Sequence, residues 1–524
     1  ESSFLRRILR PTVLEVNTLL IEKGFCVNLS YGSQKKHFDL ILPDEVWKAF
    51  PHSYKLVLRD NLAYLSSLEL GLMLKAKKIK YDTPLPLFKS FFVEVLLKCL
   101  LYSGDCDTGK TIEYIARLCN LEFSFKGTSP SLDPWTVQTK ENSINTFTFG
   151  KESLLSWGLA QEIGLNPLPV LVVEPDSNMV YRNERYRTFE NKHKKKLIVE
   201  FEKEFDVKVH KVQNGLGEIR DYMIWDLDQT DLGWSNQLTE YLFMLLPLNY
   251  FFGSKYIIYG NEYSSDAYYY SSEGFKCHPV YDQSSDWMSH MNTILQNLSG
   301  GAVMSTSLVQ PLQEIAVTKV LYQRYPHLAK YQMSCHADNE NAEKSRWCNA
   351  CSKCATCFLF MKALGFDNNI VGLKDMLSLE YKNYFALFHQ QKDVRGYYSS
   401  ALARDEQLFA FHLAAKRGVT GELIELFKKE FGEEAANREE ELRNEFFKVH
   451  RPENLPSSLW KKLKPIFEEE LKKPETLNEV KEVKKEIAES KEMKKEEAVK
   501  EELKKKENKV EANKEEAKVR SVLP

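Results

Sequence analysis

No stretch of this 524-residue sequence is apolar for long enough to cross a membrane. The longest apolar runs, residues 91–102 and 241–252, fall well short of the roughly 20 residues that a spanning helix needs. We therefore expect a soluble protein without a membrane partner. Because the sequence opens at Glu1 and not at a methionine, we also expect that processing or truncation could have removed a targeting segment.

The sequence lacks a surplus of either charge, because 72 basic residues nearly balance 74 acidic ones. Proteins that bind nucleic acids non-specifically usually carry a basic surplus. We therefore expect no general nucleic-acid binding. The length and the hydrophobic fraction of 43% predict two or three domains with a large buried core.

The ten cysteines do not form the dense, regular pattern of a disulfide framework. Half of them lie close together in residues 335–357, and the others are scattered singly. This distribution favours a metal site over disulfides. We therefore expect an intracellular, reducing compartment, either the cytoplasm or an organelle matrix.

The clustered cysteines combine one isolated thiol, Cys335, with the run Cys348-x2-Cys351-x2-Cys354. Thiolates at this spacing can occupy adjacent corners of a tetrahedron, which is the closed coordination of structural zinc. We predict that these four residues bind Zn²⁺. An iron–sulfur cluster or unliganded cysteines are the alternatives. Cys357 begins an apolar stretch, and we interpret it as a buried free thiol.

Composition predicts four regions along the chain. Residues 1–130 mix strand-like and helix-like segments, which indicates an N-terminal α+β domain. Residues 131–365 alternate strands with helices, which predicts a parallel α/β sheet that also carries the zinc site. Residues 366–465 are predicted to be helical. Residues 466–524 are rich in Lys and Glu without a sustained heptad, which favours a solvated helix or disorder over a coiled coil.

We expect the charged tail to be the part of the chain that contacts a protein partner.

Within the α/β region, a helix is predicted at residues 153–163. The predicted strands or edge segments are residues 144–149, 169–173, 197–201, 208–212, 256–259 and 280–281.

The first of these strands leads into a glycine-containing turn that predicts a phosphate-binding site. Such a turn directs backbone N–H groups and the positive end of a helix at a phosphate. The residues that we predict to bind a nucleotide here are Thr148, Gly150, Lys151, Glu152 and Ser153. An ordinary strand-to-helix turn is the alternative interpretation.

A second segment, residues 104–111, satisfies the Walker A pattern G-x4-G-K-[ST]. The residues before it form a helix-like pattern, and Asp105 and Asp107 would repel a phosphate. We therefore interpret the segment as a loop between helices. A P-loop nucleoside triphosphatase stays the alternative, and it requires a strand before Gly104.

The glycine turn resembles the PP-loop of ATP pyrophosphatases, which usually reads Ser-Gly-Gly-X-Asp-Ser. In this chain Thr148, Phe149 and Glu152 replace the first Ser, a Gly and the Asp. Combined with the cysteine cluster, the turn resembles that of 7-cyano-7-deazaguanine synthase. The closer resemblance, over roughly residues 55–430, is to the related UDP-N-acetylmuramoyl-L-alanyl-L-glutamate epimerase family. The segments that carry it are residues 259–264, 311–315, 325–326, 334–335, 347–355 and 408–426.

This resemblance implies a PP-loop (HUP-like) fold, in which a parallel sheet has helices on both faces. It implies that ATP and Mg²⁺ activate the carboxylate of a small-molecule substrate as an acyl-adenylate, with release of pyrophosphate. In the epimerase, activation of the terminal L-glutamate acidifies its α-hydrogen, so that an acid and a base on either side can invert the centre.

By the same resemblance, the catalytic candidates are Glu262, Asn261 and Glu314, with Tyr263 and Lys353 as further candidates. Asn261 and Glu262 follow a predicted strand, and ligands of open α/β sheets collect at the carboxyl ends of strands. Roles in helix capping or on a helix surface are the alternatives for the carboxylates. A non-catalytic, zinc-stabilised assembly protein that keeps the fold is the remaining interpretation of the whole chain.

Overall fold

A computed structural model describes residues 12–135, 138–176, 178–181, 184–389 and 400–473. Nearly all of the predicted charged tail lies outside these residues. Within the described part, no helix combines the length and the apolar character that crossing a membrane requires.

One ten-stranded sheet organises the described chain, and two short hairpins lie outside it. The strands in chain order are β1 (Val13–Ile21), β2 (Gly24–Tyr31), β3 (Gln34–Ile41), β4 (Lys78–Tyr81), β5 (Glu122–Ser124), β6 (Lys140–Thr146), β7 (Pro167–Val173), β8 (Asn178–Tyr181), β9 (Glu184–Arg187), β10 (His210–Asn214), β11 (Ser254–Tyr259), β12 (Tyr269–Tyr270), β13 (Lys276–Cys277) and β14 (Met304–Ser307). The hairpins are β8–β9 and β12–β13.

The order of the large sheet is β14-β11-β6-β7-β10-β3-β2-β1-β4-β5. The five strands from β14 to β10 are all parallel. Strands β1 to β3 form an antiparallel meander that joins them through β3 and β10, and β4 and β5 continue in parallel beyond β1. The sheet is therefore mostly parallel, as predicted, and it continues across the predicted boundary near residue 130.

The sheet is flanked by helices. In chain order they are α1 (Asp44–Ala49), α2 (His52–Met73), α3 (Lys89–Cys106), α4 (Thr111–Cys119), α5 (Lys151–Glu162), α6 (Glu190–Phe205), α7 (Gln237–Phe252), α8 (Ser285–Ser299), α9 (Glu314–Arg324), α10 (Pro326–Ala329), α11 (Ser352–Leu364), α12 (Ala401–Lys416), α13 (Glu422–Glu430), α14 (Gly432–Asn437), α15 (Glu439–Phe446) and α16 (Ser457–Lys472). Helices α12 to α16 confirm the helical C-terminal region.

Two of the predicted strand segments are wrong. Residues 197–201 belong to α6, where Leu197, Ile198 and Phe201 are buried at the spacing of one helical face. Residue 281 begins a short 3₁₀ turn, Tyr281–Gln283. A short apolar run fits a helix face and a strand equally well, so only its packing separates the two.

The Walker-like segment follows a helix, because α3 extends to Cys106. The Asp107 carboxylate accepts hydrogen bonds from Tyr114 Oη at 2.6 Å and from Thr230 Oγ1 at 2.5 Å. The Asp105 carboxylate accepts one from Tyr269 Oη at 2.6 Å. Because a phosphate-binding P-loop must follow a strand, the P-loop alternative is wrong, and these aspartates connect the loop to neighbouring segments.

Candidate functional site

The glycine turn lies where the strand order of the parallel sheet reverses. The chain goes outward from β6 to β7 and β10, and then returns to place β11 on the other side of β6. In open α/β sheets, the crevice beyond the carboxyl ends of the strands at such a reversal is the usual ligand site. The turn 147–150 follows β6, and Asn261 and Glu262 follow β11 closely. The two predicted groups of residues are therefore brought together at one edge of the sheet.

The glycine turn contains a non-glycine residue, Phe149, in a left-handed conformation. Phe149 has a φ of 63°, a left-handed conformation that costs a non-glycine residue about 1–2 kcal/mol. Its ring is fully buried, with ring centroids 4.9 Å from Phe147 and 5.8 Å from Phe201. Burial of an aromatic side chain contributes more than this strain costs, so the packing holds the turn in place.

Hydrogen bonds within the turn fix the residues before α5. Thr148 N donates to Ser153 Oγ at 3.3 Å, and Ser153 Oγ donates to Gly150 O at 3.0 Å. Gly260 packs against this end of the helix, because a Cβ there would lie only 2.7 Å from Glu152 Cβ. Gly260 lies in the segment 259–264 that carries the family resemblance, but no site role was predicted for it, although its position directly after β11 was the available signal.

Lys151, the first residue of α5, lies among carboxylates and is only 4% exposed. Its Nζ is 2.7 Å from Glu314 Oε1 and also contacts the Glu152 carboxylate. Glu314 is itself the first residue of α9, where the helix dipole favours a negative charge. The structure therefore brings together residues that are 163 positions apart in sequence.

Glu262 lies near the same group. Burial, reinforced by the negative charges of Glu152 and Glu314, raises the pKa of Glu262 to about 8, although Lys151 opposes the shift. Ser264 Oγ donates to Glu262 Oε1 at 3.2 Å. At neutral pH this carboxyl group is therefore mostly protonated and able to donate a proton.

Asn261 presents a polar group without a partner. Its side chain is buried, and its Nδ2 makes no hydrogen bond to any of the described residues. Its backbone carbonyl, by contrast, accepts a hydrogen bond from Ser307 Oγ at 2.7 Å. Because an unpaired buried amide costs about 1–3 kcal/mol, this donor is a good candidate for contact with a ligand or a bound water.

The C-terminal helices contact the start of α9, where Glu314 lies. Ile315 N donates to Glu406 Oε1 of α12 at 2.8 Å, and Gln313 Nε2 donates to Glu445 Oε1 of α15 at 2.8 Å. Tyr263 stacks on His450, with ring centroids 3.7 Å apart. These contacts join segments that are far apart in sequence, so no local pattern indicated them.

The four predicted cysteine ligands come together. The sulfurs of Cys335, Cys348, Cys351 and Cys354 all lie within 4.8 Å of one another, and the Cys348 and Cys354 sulfurs are 3.7 Å apart. Zn–S bonds of about 2.3 Å in a tetrahedron require sulfur separations of about 3.8 Å. The cluster is therefore of the right size to hold a metal such as zinc.

Backbone N–H groups donate hydrogen bonds to the sulfurs of this cluster, as they do at thiolate sites in other proteins. Ala337 N and Cys348 N donate to Cys335 Sγ at 3.2 Å and 3.3 Å, and Cys354 N donates to Cys351 Sγ at 3.4 Å. Such bonds stabilise deprotonated sulfur. Met333, two residues before Cys335, donates its N–H to Phe149 O at 2.8 Å, so the cluster also supports the glycine turn.

Two other predicted residues lie nearby. Cys357 is buried in α11, where burial raises the pKa of its thiol to about 12, which agrees with a free thiol. Lys353 donates toward His336 Nε2 at 3.1 Å on the exposed side of the cysteine cluster.

A cavity of about 590 Å³ lies farther along the same edge of the sheet, at the carboxyl ends of β7 and β10. Its lining includes Val173, Glu174 and Asn214.

No protein-family model matches this chain, and a search of curated proteins returns no significant match.

Proposed function

We propose that this protein is an ATP-dependent adenylating enzyme of the PP-loop class, which activates a carboxylate and releases AMP and pyrophosphate. The observation that carries the proposal is the position of the glycine turn and Lys151 at the reversal of strand order, beside the unpaired amide of Asn261. Epimerisation of the terminal L-glutamate of a UDP-muramoyl dipeptide is the specific reaction that the family resemblance suggests.

Each group has a chemical role in this proposal. The N–H groups at the start of α5, with Lys151, bind the nucleotide phosphates. The carboxylate oxygens of Glu152 and Glu314 are the hard ligands that Mg²⁺ prefers. Asn261 donates its free N–H to the substrate, and the protonated form of Glu262 supplies the acid that inversion requires.

The test is incubation of the purified full chain with ATP, Mg²⁺ and candidate carboxylates. The proposal predicts that AMP and pyrophosphate are formed and that ADP is not. A UDP-muramoyl dipeptide in D₂O should gain deuterium at the α-position of its terminal glutamate. A 7-carboxy-7-deazaguanine substrate supplied with ammonia should instead yield a nitrile. Ser153→Ala should weaken ATP use, whereas Thr293→Ala, which removes an exposed hydroxyl of α8, should not.

The second candidate is a non-catalytic, zinc-stabilised protein that keeps the fold. It is favoured by the Glu152 carboxylate, which lies over Gly150 and contacts Lys151, so that the protein's own anion holds the position of a phosphate. Calorimetry with ATP and Mg²⁺ separates the two candidates. Glu152→Gln should weaken nucleotide binding in the enzyme, because a Mg²⁺ ligand is lost. It should create binding in the non-catalytic protein, because the competing anion is removed.

Two results together would contradict the enzyme proposal in protein shown to be folded and zinc-loaded. The first is that neither substrate leads to AMP release, and the second is that calorimetry detects no heat of ATP binding to the wild type.

A further inference from the structure

The antiparallel meander carries three side chains of metal-binding type on one face. Cys26 of β2 is directly paired with Asp39 of β3, and His37 lies two residues before Asp39 on the same side of the strand. The Cys26 Sγ, a ring nitrogen of His37 and a carboxylate oxygen of Asp39 all lie within 4.8 Å of one another.

This face is open, although the other face of the same strands is in the core. Val27, Leu29, Phe38 and Leu40 point into the core and are buried. On the opposite face Leu19, the partner of Cys26 on β1, is 61% exposed. Cys26 is only 2% exposed, whereas the side chains of His37 and Asp39 are about half exposed. The sulfur therefore lies at the floor of a shallow site with the imidazole and the carboxylate above it.

The amide of Asn28 orients two of these groups. Its Nδ2 donates to Cys26 Sγ at 3.7 Å, and its Oδ1 lies 2.8 Å from His37 Nδ1. His37 Nδ1 therefore donates to Asn28, so that in the neutral imidazole the lone pair is on Nε2. Metal-binding histidines are usually oriented in this way by an acceptor on the second ring nitrogen.

This tautomer places two electron-rich atoms together. His37 Nε2 is 2.9 Å from Asp39 Oδ1, and a lone pair facing a carboxylate at this distance requires a proton or a cation between them. The thiol of Cys26 beneath them supplies a third donor of the kind that zinc accepts.

We propose that Cys26, His37 and Asp39 form a second metal site, which binds a borderline divalent ion such as Zn²⁺. Three protein ligands with one position left for water or another ligand are the pattern of zinc sites that exchange ligands, in contrast to the closed pattern of four cysteines. His37 and Asp39 also line the cavity of about 590 Å³, so a molecule in that cavity can reach the open position.

The test uses the full chain and Co²⁺ as the probe. The protein is first given one equivalent of Zn²⁺, which the four-cysteine cluster takes up in every variant, and Co²⁺ is then titrated. The wild type should bind one further equivalent with a thiolate-to-Co²⁺ charge-transfer absorption. His37→Gln and Asp39→Asn, both at exposed positions, should lose that equivalent while folding normally, and Cys26→Ala should lose the charge-transfer absorption.

Asn28→Ala should weaken Co²⁺ binding about 10- to 100-fold, because it removes the group that orients two ligands. His52→Gln and Cys119→Ser replace exposed residues of the same types elsewhere and should bind Co²⁺ as the wild type does. Equal Co²⁺ uptake by the wild type and His37→Gln would mean that His37 and Asp39 form only an ion pair, and would overturn the proposal. Uptake without a charge-transfer absorption would overturn the role of Cys26.

Discussion

Removal of the Lys151 ammonium is the perturbation whose effect the structure defines most sharply. Lys151 and Glu314 are both about 5% exposed, and their charged atoms are 2.7 Å apart. Breaking a buried ion pair by removing one partner costs about 3–5 kcal/mol, because the other charge stays buried without compensation. We therefore expect Lys151→Met to lower the free energy of unfolding by about 3–5 kcal/mol at pH 8.5.

The loss should depend on pH. Burial raises the pKa of Glu262 in the folded chain to about 8, above its ordinary value of 4.5. The folded chain therefore keeps this proton while the unfolded chain loses it, and stability falls as the pH rises between these two values. The Lys151 charge stabilises the ionised form of Glu262. At pH 5.5 Glu262 is protonated and this attraction is absent, so the loss of stability in Lys151→Met should be smaller than at pH 8.5.

The assay is urea denaturation at the two pH values. Lys151→Met with Glu314→Gln should recover most of the stability, because removing both charges leaves neither unpaired. Lys428→Met is the matched control, since its pair with Glu425 at 2.8 Å is exposed and worth only about 0.2–1 kcal/mol. Two results would refute the buried ion pair of Lys151 and Glu314. One is a decrease of less than 1 kcal/mol in the free energy of unfolding of Lys151→Met at pH 8.5, and the other is a double variant that is no more stable than Lys151→Met.

Three further predictions concern the metal, the acid and the turn. Cys351→Ser should lower the zinc content measured by elemental analysis and give insoluble or less stable protein, whereas Cys119→Ser should change neither, because only the first thiol belongs to the cluster. The wild type should lose stability as the pH rises from 4.5 to 8.5, because the folded chain keeps the Glu262 proton over a range in which the unfolded chain loses it, and Glu262→Gln should flatten this profile in urea denaturation. Phe149→Gly should destabilise the chain by about 1–4 kcal/mol in the same assay, because a lost aromatic side chain costs about 3–5 kcal/mol and relief of the left-handed strain returns about 1–2 kcal/mol. A stabilised Phe149→Gly variant would show that the strain outweighs the packing.

Local patterns in the sequence were sufficient for the features that depend on neighbouring residues. The Cys-x2-Cys-x2-Cys run places three thiols within seven residues, so these three ligands could be predicted from spacing alone. Cys335 was preferred to Cys357 as the fourth ligand because Cys357 begins an apolar stretch. The helices of the C-terminal region followed from composition in the same way. The strand-to-helix junction before Lys151 also depends on adjacent residues only.

Features that depend on distant residues could not be predicted in this way. The pair of Lys151 with Glu314 exists because the crossover connections of a parallel sheet bring both helix starts to one edge. The Cys26 and His37 cluster depends on the register of β2 and β3, since a shift by one residue would turn the side chains of one strand to the opposite face.

The sequence by itself therefore determined the strand-to-helix junction before Lys151, the helical C-terminal region and the thiols that cluster, because backbone preferences and short-range spacing act within a few residues. Only the tertiary structure decided that the meander and the parallel strands share one sheet, that residues 197–201 are helical, and that a phenylalanine can occupy a left-handed position in the turn. The physical reason is that burial, and the pairing of buried charges, depend on which distant segments meet. Those contacts contribute several kcal/mol each and override the weaker local preferences.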